Sequence, residues 1–220
     1  IRDLIVSRGL GDMYKRQFVF SGMTTRNAIY SALLAKENFT SVTDPLLGER
    51  GFHEGFAHNP NPKLIIEKLG ENFKIDTASL KKWSVGSPIQ SMMDAIEYLL
   101  KNNKFDHKDI TELVVDIPSD RYHIVNDREI LSISAQHLIA VHLIKKKMGY
   151  VEAHDEKLFD DPEVVSLRKK IKAVSSDELA IARPERQSKI RIKFSNNKEL
   201  FYHAKSVRGT PDNPMDEKDI

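Results

Sequence analysis

The chain contains no cysteine. Disulfides, thiolate zinc sites, a cysteine nucleophile and a cysteine-held iron–sulfur cluster are therefore excluded within its 220 residues. Long apolar runs are missing as well, and no stretch approaches the ~20 consecutive apolar residues of a membrane helix. Charge of one sign is scarce: 34 basic residues against 32 acidic ones leave a net charge of +2. The two signs interleave rather than forming a stripe, which removes the general electrostatic case for nucleic acid. No Gly-rich phosphate loop, internal repeat, low-complexity tract, signal peptide or transit peptide is visible. The expectation is a cytoplasmic protein. What is present is enough apolar material, 40% hydrophobic against 30% charged, to build one or two globular domains.

Residues 1–17 carry Gly9, Gly11 and scattered charges with no period, and are expected to be a non-native leader of read-through type. From Thr24 a helix is predicted, with Ile29, Ala32 and Leu33 at helical spacing. A loop rich in Gly, Pro and Asn follows from Pro45 to Pro62, and Pro62 then opens a short helix carrying Leu64, Ile65 and Leu69. Ile89, Met92, Met93, Ile96, Leu99 and Leu100 mark one face of a clear amphipathic helix. Ser87 at its N-cap, Pro88 at N1 and Gln90 at N3 predict a capping box. Leu113, Val115 and Ile117 alternate as a strand. Ile133 to Ile144 is apolar all round, so that helix should be deeply buried. Asp161-Pro162-Glu163 starts a further helix. Ile190, Ile192 and Phe194 alternate with Lys189, Arg191 and Lys193, then Asn196-Asn197 and Leu200–Ala204 complete a hairpin with one wet face. The order of elements predicts an α+β fold.

Lys81-Lys82-Trp83-Ser84-Val85-Gly86-Ser87-Pro88-Ile89-Gln90 carries the most chemistry. Two cations precede a helix start whose free N–H groups favour a carboxylate or phosphate, although an ordinary capped helix with solvated lysines fits the same residues. His53-Glu54 with His58 has the wrong spacing for a zinc helix, and Gly51 and Gly55 argue for a solvated loop, so no metal is expected. His137 and His142, five apart in the apolar helix, read as satisfied or partly exposed core histidines. Arg121-Tyr122-His123 is expected in a loop after the strand, where Tyr122 is either a proton donor or a packed ring. Ser87 has no neighbouring His–Asp pair, which leaves nucleophilic catalysis without support. Asn38-Phe39-Thr40 matches a glycosylation sequon without a secretory context.

Several stretches in order resemble the 2-methylcitrate dehydratase (MmgE/PrpD) family. Gly22-Met23-Thr24-Thr25-Arg26-Asn27-Ala28 running into Ala32-Leu33-Leu34-Ala35 resembles its Gly-x-Ala-x-Arg helix, with Thr24 in place of alanine. Gly51-Phe52, preceded by Glu49, matches its Gly-Phe loop. Lys81 to Gln90 resembles a Lys-Pro-Tyr-Pro…His stretch, Gln136-His137-Leu138-Ile139-Ala140-Val141 its buried helix, and Arg208-Gly209-Thr210-Pro211 with Asn213-Pro214-Met215 its closing signature. The resemblance runs from about Phe18 onward and implies the C-terminal portion of such a protein, cut at both ends.

On that basis residues 18–72 are expected to end an all-helical domain, 73–206 to form a smaller α+β lid with an antiparallel hairpin, and 207–220 to begin the return to the helical domain. The resemblance implies a cofactor-independent, metal-free lyase acting on small di- or tricarboxylates, as a homodimer through the helical domain. The family's reactions include 2-methylcitrate dehydration, cis-aconitate decarboxylation and iminodisuccinate epimerisation. Expected site residues are Tyr122 as the catalytic group, with Lys81, Lys82, Ser87, Gln90 and Arg26 binding substrate. Gln17 stands where some members have lysine, Gln90 at a frequent histidine, and Phe20 where decarboxylase-like members have histidine. Those departures weigh against a decarboxylase and leave dehydratase, isomerase or epimerase chemistry open. The family's remaining acid–base residues lie upstream, so this chain alone is expected to be inactive. Two other classes stand beside this reading: a non-catalytic α+β binding or assembly module, and a nucleic-acid binder resting only on the basic strand Lys189–Lys193.

Overall fold

The computed structural model describes residues 13–217, without the side chains of 13–18 and 20. The expected leader therefore lies largely outside the described residues, as do the side chains of Gln17 and Phe20. Two compact units are present, 13–77 and, among described residues, 78–217.

In the first unit, helix α1 spans Met13–Lys36, so it begins well before the Thr24 expected from apolar spacing. Gly22 sits inside it with open space where a side chain would point. The Gly51–Gly55 region is not all loop either: α2 covers Phe52–Phe56, closed by Ala57 N–H donating to the His53 carbonyl and by a Phe52–Phe56 ring contact. A single turn, α3, follows at Lys63–Ile66. No described side chain of this unit is buried; Ile29, Leu33, Ile65 and Leu69 all face outward.

The second unit is α+β. Helix α4, Gln90–Asn102, buries Met92, Met93, Ala95, Ile96 and Leu99 on the face that the apolar spacing marks. Strand β1 is Ile110–Pro118, followed by α5 at Ser119–Val125, α6 at Ala135–Lys145, α7 at Tyr150–His154 and α8 at Pro162–Arg168. Strand β2, Ile171–Ser176, returns parallel to β1, with Leu113 opposite Ile171. After α9, Asp177–Ile181, the hairpin of β3, Ser188–Phe194, and β4, Glu199–Ala204, completes an open sheet in the order β2-β1-β3-β4. The β3 pairings on both sides are antiparallel.

One sheet face carries Ile171, Leu113, Val115, Ile190 and Ile192, and α4 and α6 pack over the sheet. Because α6 also packs against α4 and α8, all of Ala135–Leu143 is buried, matching its all-round apolar sequence. Asp161 caps α8 by accepting from the N–H groups of Glu163 and Val164. Asn197, at φ 63°, turns the hairpin, and its N–H donates to the Phe194 carbonyl. On the wet face the basic strand is matched: Lys189 meets Glu178, Arg191 meets Asp116, and Lys193 lies between Glu112 and Glu199. Those pairings take away the unopposed positive stripe on which a nucleic-acid reading of this strand would rest.

Leu138→Ala should lower the unfolding free energy by about 2–5 kcal/mol, because it opens a cavity in a site that cannot collapse. Exposed Ile181→Ala should stay within about 0.5 kcal/mol. Urea titration followed by the emission of buried Trp83 measures both.

Candidate functional site

The lead-in to α4 is held from three directions. The Gln90 side chain turns back, its Nε2 donating to the carbonyls of Trp83 (2.8 Å) and Val85 (3.1 Å) while its Oε1 accepts from the Trp83 N–H at 3.2 Å. Ser87–Ile89 is a 3-10 turn with Gly86 at its N-cap and no side-chain cap. This corrects the expected capping box. Gln90 satisfies the main chain of the approach instead of the Ser87 N–H, so the α-helix proper starts later. Gln90 is also almost fully buried, which commits its carboxamide to the main chain. Gly86 donates to the Ser132 carbonyl at 2.7 Å, and a Cβ at Gly86 would sit 2.8 Å from the Ile133 side chain. The approaches to α4 and α6 therefore touch, and a larger residue at Gly86 would force the Ile133 side chain to shift.

Lys82 folds along the helix flank rather than toward its start. Its ammonium pairs with Glu97 at 2.5 Å and lies 4.8 Å over the Trp83 ring, while Lys101 takes the other Glu97 oxygen at 2.9 Å. Burial pushes Glu97 up, but the two lysines outweigh it and hold the carboxyl below its ordinary value. Lys81 is exposed. Asp94 accepts from Trp83 Nε1 at 2.7 Å and from the Arg208 N–H at 2.9 Å. Burial raises its pKa against those hydrogen bonds. The closing loop is fastened to the same place, with Leu80 N–H donating to the Gly209 carbonyl at 2.8 Å. Gly209 has φ +92°, and a Cβ there would fall 1.9 Å from the Leu80 carbonyl oxygen, so no other residue fits. An open cleft of about 290 Å³ lies here between Lys82, Asp94, Tyr98, Tyr202 and Arg208.

Tyr122 lies within helix α5, not in a loop; the chain turns helical directly after Pro118 ends the strand. Its ring is half-buried against the core. Helix α5 packs against the 87–89 turn, so the structure does bring Tyr122's helix to the start of α4. Gln136 fastens the end of α5 to α6 by donating to Asn126 and accepting from the Asp127 N–H. Arg26 stands exposed on α1, with a 3.4 Å contact to Asn27.

Four polar side chains emerge here that pattern reading passed over or misread. Ser91 in the first turn of α4 and Ser134 at the start of α6 each have a buried hydroxyl without a partner, and both ring nitrogens of His137 are likewise unpartnered. His142 is buried with its Nδ1 unpartnered, beside Trp83 at 5.2 Å. The expectation of satisfied or partly exposed histidines fails, because the surrounding elements bury both residues and leave both nitrogens of His137 and the Nδ1 of His142 without partners. An isolated His inside an apolar run was the available signal. Among the described residues no group of His, Cys, Asp and Glu is arranged to hold a metal ion, and no helix is long and apolar enough to cross a membrane.

Burial lowers His137 and His142 to a pKa of about 4 from 6.5. The unfolded chain takes up these protons below about pH 6.5 and the folded chain only near 4. Their contribution is thus complete above about 6.5, is lost as pH falls toward 4, and levels off below it, with up to roughly 3 kcal/mol at stake for each ring. His137→Phe should flatten this acid limb, as read from urea midpoints between pH 7 and 4.5.

Comparison with curated proteins finds no significant match. The MmgE/PrpD C-terminal domain matches residues 83–220, which span the helix start, the sheet and the closing loop described above. The chain therefore belongs to the MmgE/PrpD family.

Proposed function

We propose that this chain supplies the lid side of a cofactor-independent carbon–oxygen lyase of the 2-methylcitrate dehydratase type, acting on a small di- or tricarboxylate. The match of residues 83–220 to the family's C-terminal domain carries the reading. The absence of cysteine supports it, since a dehydration relying on a cysteine-held iron–sulfur cluster would find no ligands in this chain. The working protein is a cytoplasmic homodimer whose helical domain holds the remaining acid–base groups.

Dehydration next to a carboxylate develops negative charge as a proton leaves the adjacent carbon. Lys81 and the N–H groups at the start of α4 stabilise that charge electrostatically. Lys82 acts through its pairing with Glu97, which fixes the charge on the helix flank. Ser87 offers a hydroxyl at the turn, and Gln90 shapes the turn by its bonds to Trp83 and Val85. Tyr122 transfers or orients a proton from the helix packed against that turn. Arg26 binds a substrate carboxylate from the helical side.

The 220-residue chain alone should not turn over 2-methylcitrate. Joined to the helical domain of its parent gene it should, with appearance of the unsaturated product followed in the ultraviolet. In the joined protein Lys81→Ala should lower kcat/KM by about 10²–10³-fold, the effect of removing one stabilising donor. Inertness of the joined protein toward every di- and tricarboxylate tried would sink the reading.

A further inference from the structure

A second cleft opens beyond the opposite end of α4 and α6. It measures about 730 Å³, and Trp83, Leu100, Phe105, His142 and Met148 supply its apolar and aromatic surface. Lys101, Lys104, Lys146 and Lys147 stand around it. Lys101 is answered by Glu97 and Lys147 by Glu152. Lys104 and Lys146 have no carboxylate within ion-pairing distance among the described residues. The cleft therefore keeps two lysines without a close ion pair beside an aromatic wall, Lys146 also acting at longer range on Asp106.

His142, at 2% relative exposure, forms part of the cleft wall, while its Nδ1 is enclosed without a hydrogen-bond partner. Trp83 lies against the same ring, 5.2 Å between centroids, giving a broad surface for a flat or flexible apolar body.

We propose that this cleft is a binding site for a small amphipathic anion, its apolar body on Trp83 and His142 and its carboxylate or phosphate at Lys104 and Lys146. Neither lysine belongs to the α4 start, although the cleft shares Trp83 and Glu97 with the site described above. Both features are needed together. An anion without an apolar body meets only exposed lysines, which hold little in water, and an apolar molecule without charge leaves the cations unanswered. The bland account of the lysines is that they complement the C-terminal ends of α4 and α6, which carry partial negative charge. That account predicts a role in stability alone.

Trp83 is the sole tryptophan of the chain, so its emission reports on this cleft directly. The 220-residue chain would be titrated with phenyl phosphate, hexanoate, inorganic phosphate and phenol. Phenyl phosphate, hexanoate or both should give a saturable change at least about tenfold tighter than inorganic phosphate and phenol; which of the two binds tells an aryl from an acyl ligand. Lys104→Glu combined with Lys146→Glu should weaken that binding by at least about tenfold while the circular dichroism stays unchanged. Both lysines are exposed, so the fold should tolerate their reversal. Four results would overturn the proposal: no saturable change with either amphipathic anion, inorganic phosphate binding as tightly, phenol binding as tightly, or a reversal variant that loses thermal stability but keeps its affinity.

Discussion

The contact on which the second unit most depends is the hold that α4 keeps on the segment just before it. Gln90 grips the Trp83 and Val85 main chain, and Asp94, one turn further on, takes the Trp83 indole and the Arg208 amide together. Residues distant in sequence, 80–86 and 206–213, are thereby fastened to one helix flank. Both clefts of this unit described above open against that flank, with Trp83 or its neighbour Lys82 in the wall. Loosening this grip would release the lysine segment, the closing loop and the aromatic wall at once.

A cost accompanies this construction. Hydroxyls of Ser91 and Ser134 and the ring of His137 are enclosed without hydrogen-bond partners, and burial holds His137 neutral. Spending stability on unsatisfied polar groups within the first two turns of two helices is unusual for a purely structural core.

Much of the architecture is legible from side-chain periodicity. The amphipathic spacing of α4, the unbroken apolar run of α6, the Asp-Pro-Glu start of α8 and the Asn-Asn hairpin each rest on neighbours along the chain. The parallel strand β2 escapes such reading, since Ile171–Ser176 alternates weakly and is stabilised by lying at the sheet edge beside β1. Helix α5 escapes it for a similar reason: seven residues without a strong apolar face are helical because they pack on the 87–89 turn and β2. The capping box fails because Ser-Pro-x-Gln spacing cannot tell a side chain that closes on its own turn from one that reaches back beyond it.

By itself the sequence determined what depends on composition and on local order. It ruled out thiol chemistry, set the helix and strand faces of the core, and through ordered motifs pointed to the MmgE/PrpD family, whose C-terminal domain matches residues 83–220. Only the tertiary structure decided where each charge is spent. It turned Lys82 to Glu97, tied the basic strand to its carboxylates, and left Lys104 and Lys146 without a close ion pair beside Trp83 and His142. The reason is range: burial and periodicity follow from residues a few positions apart, whereas ion pairs and clefts join side chains that only the fold brings within a few ångströms.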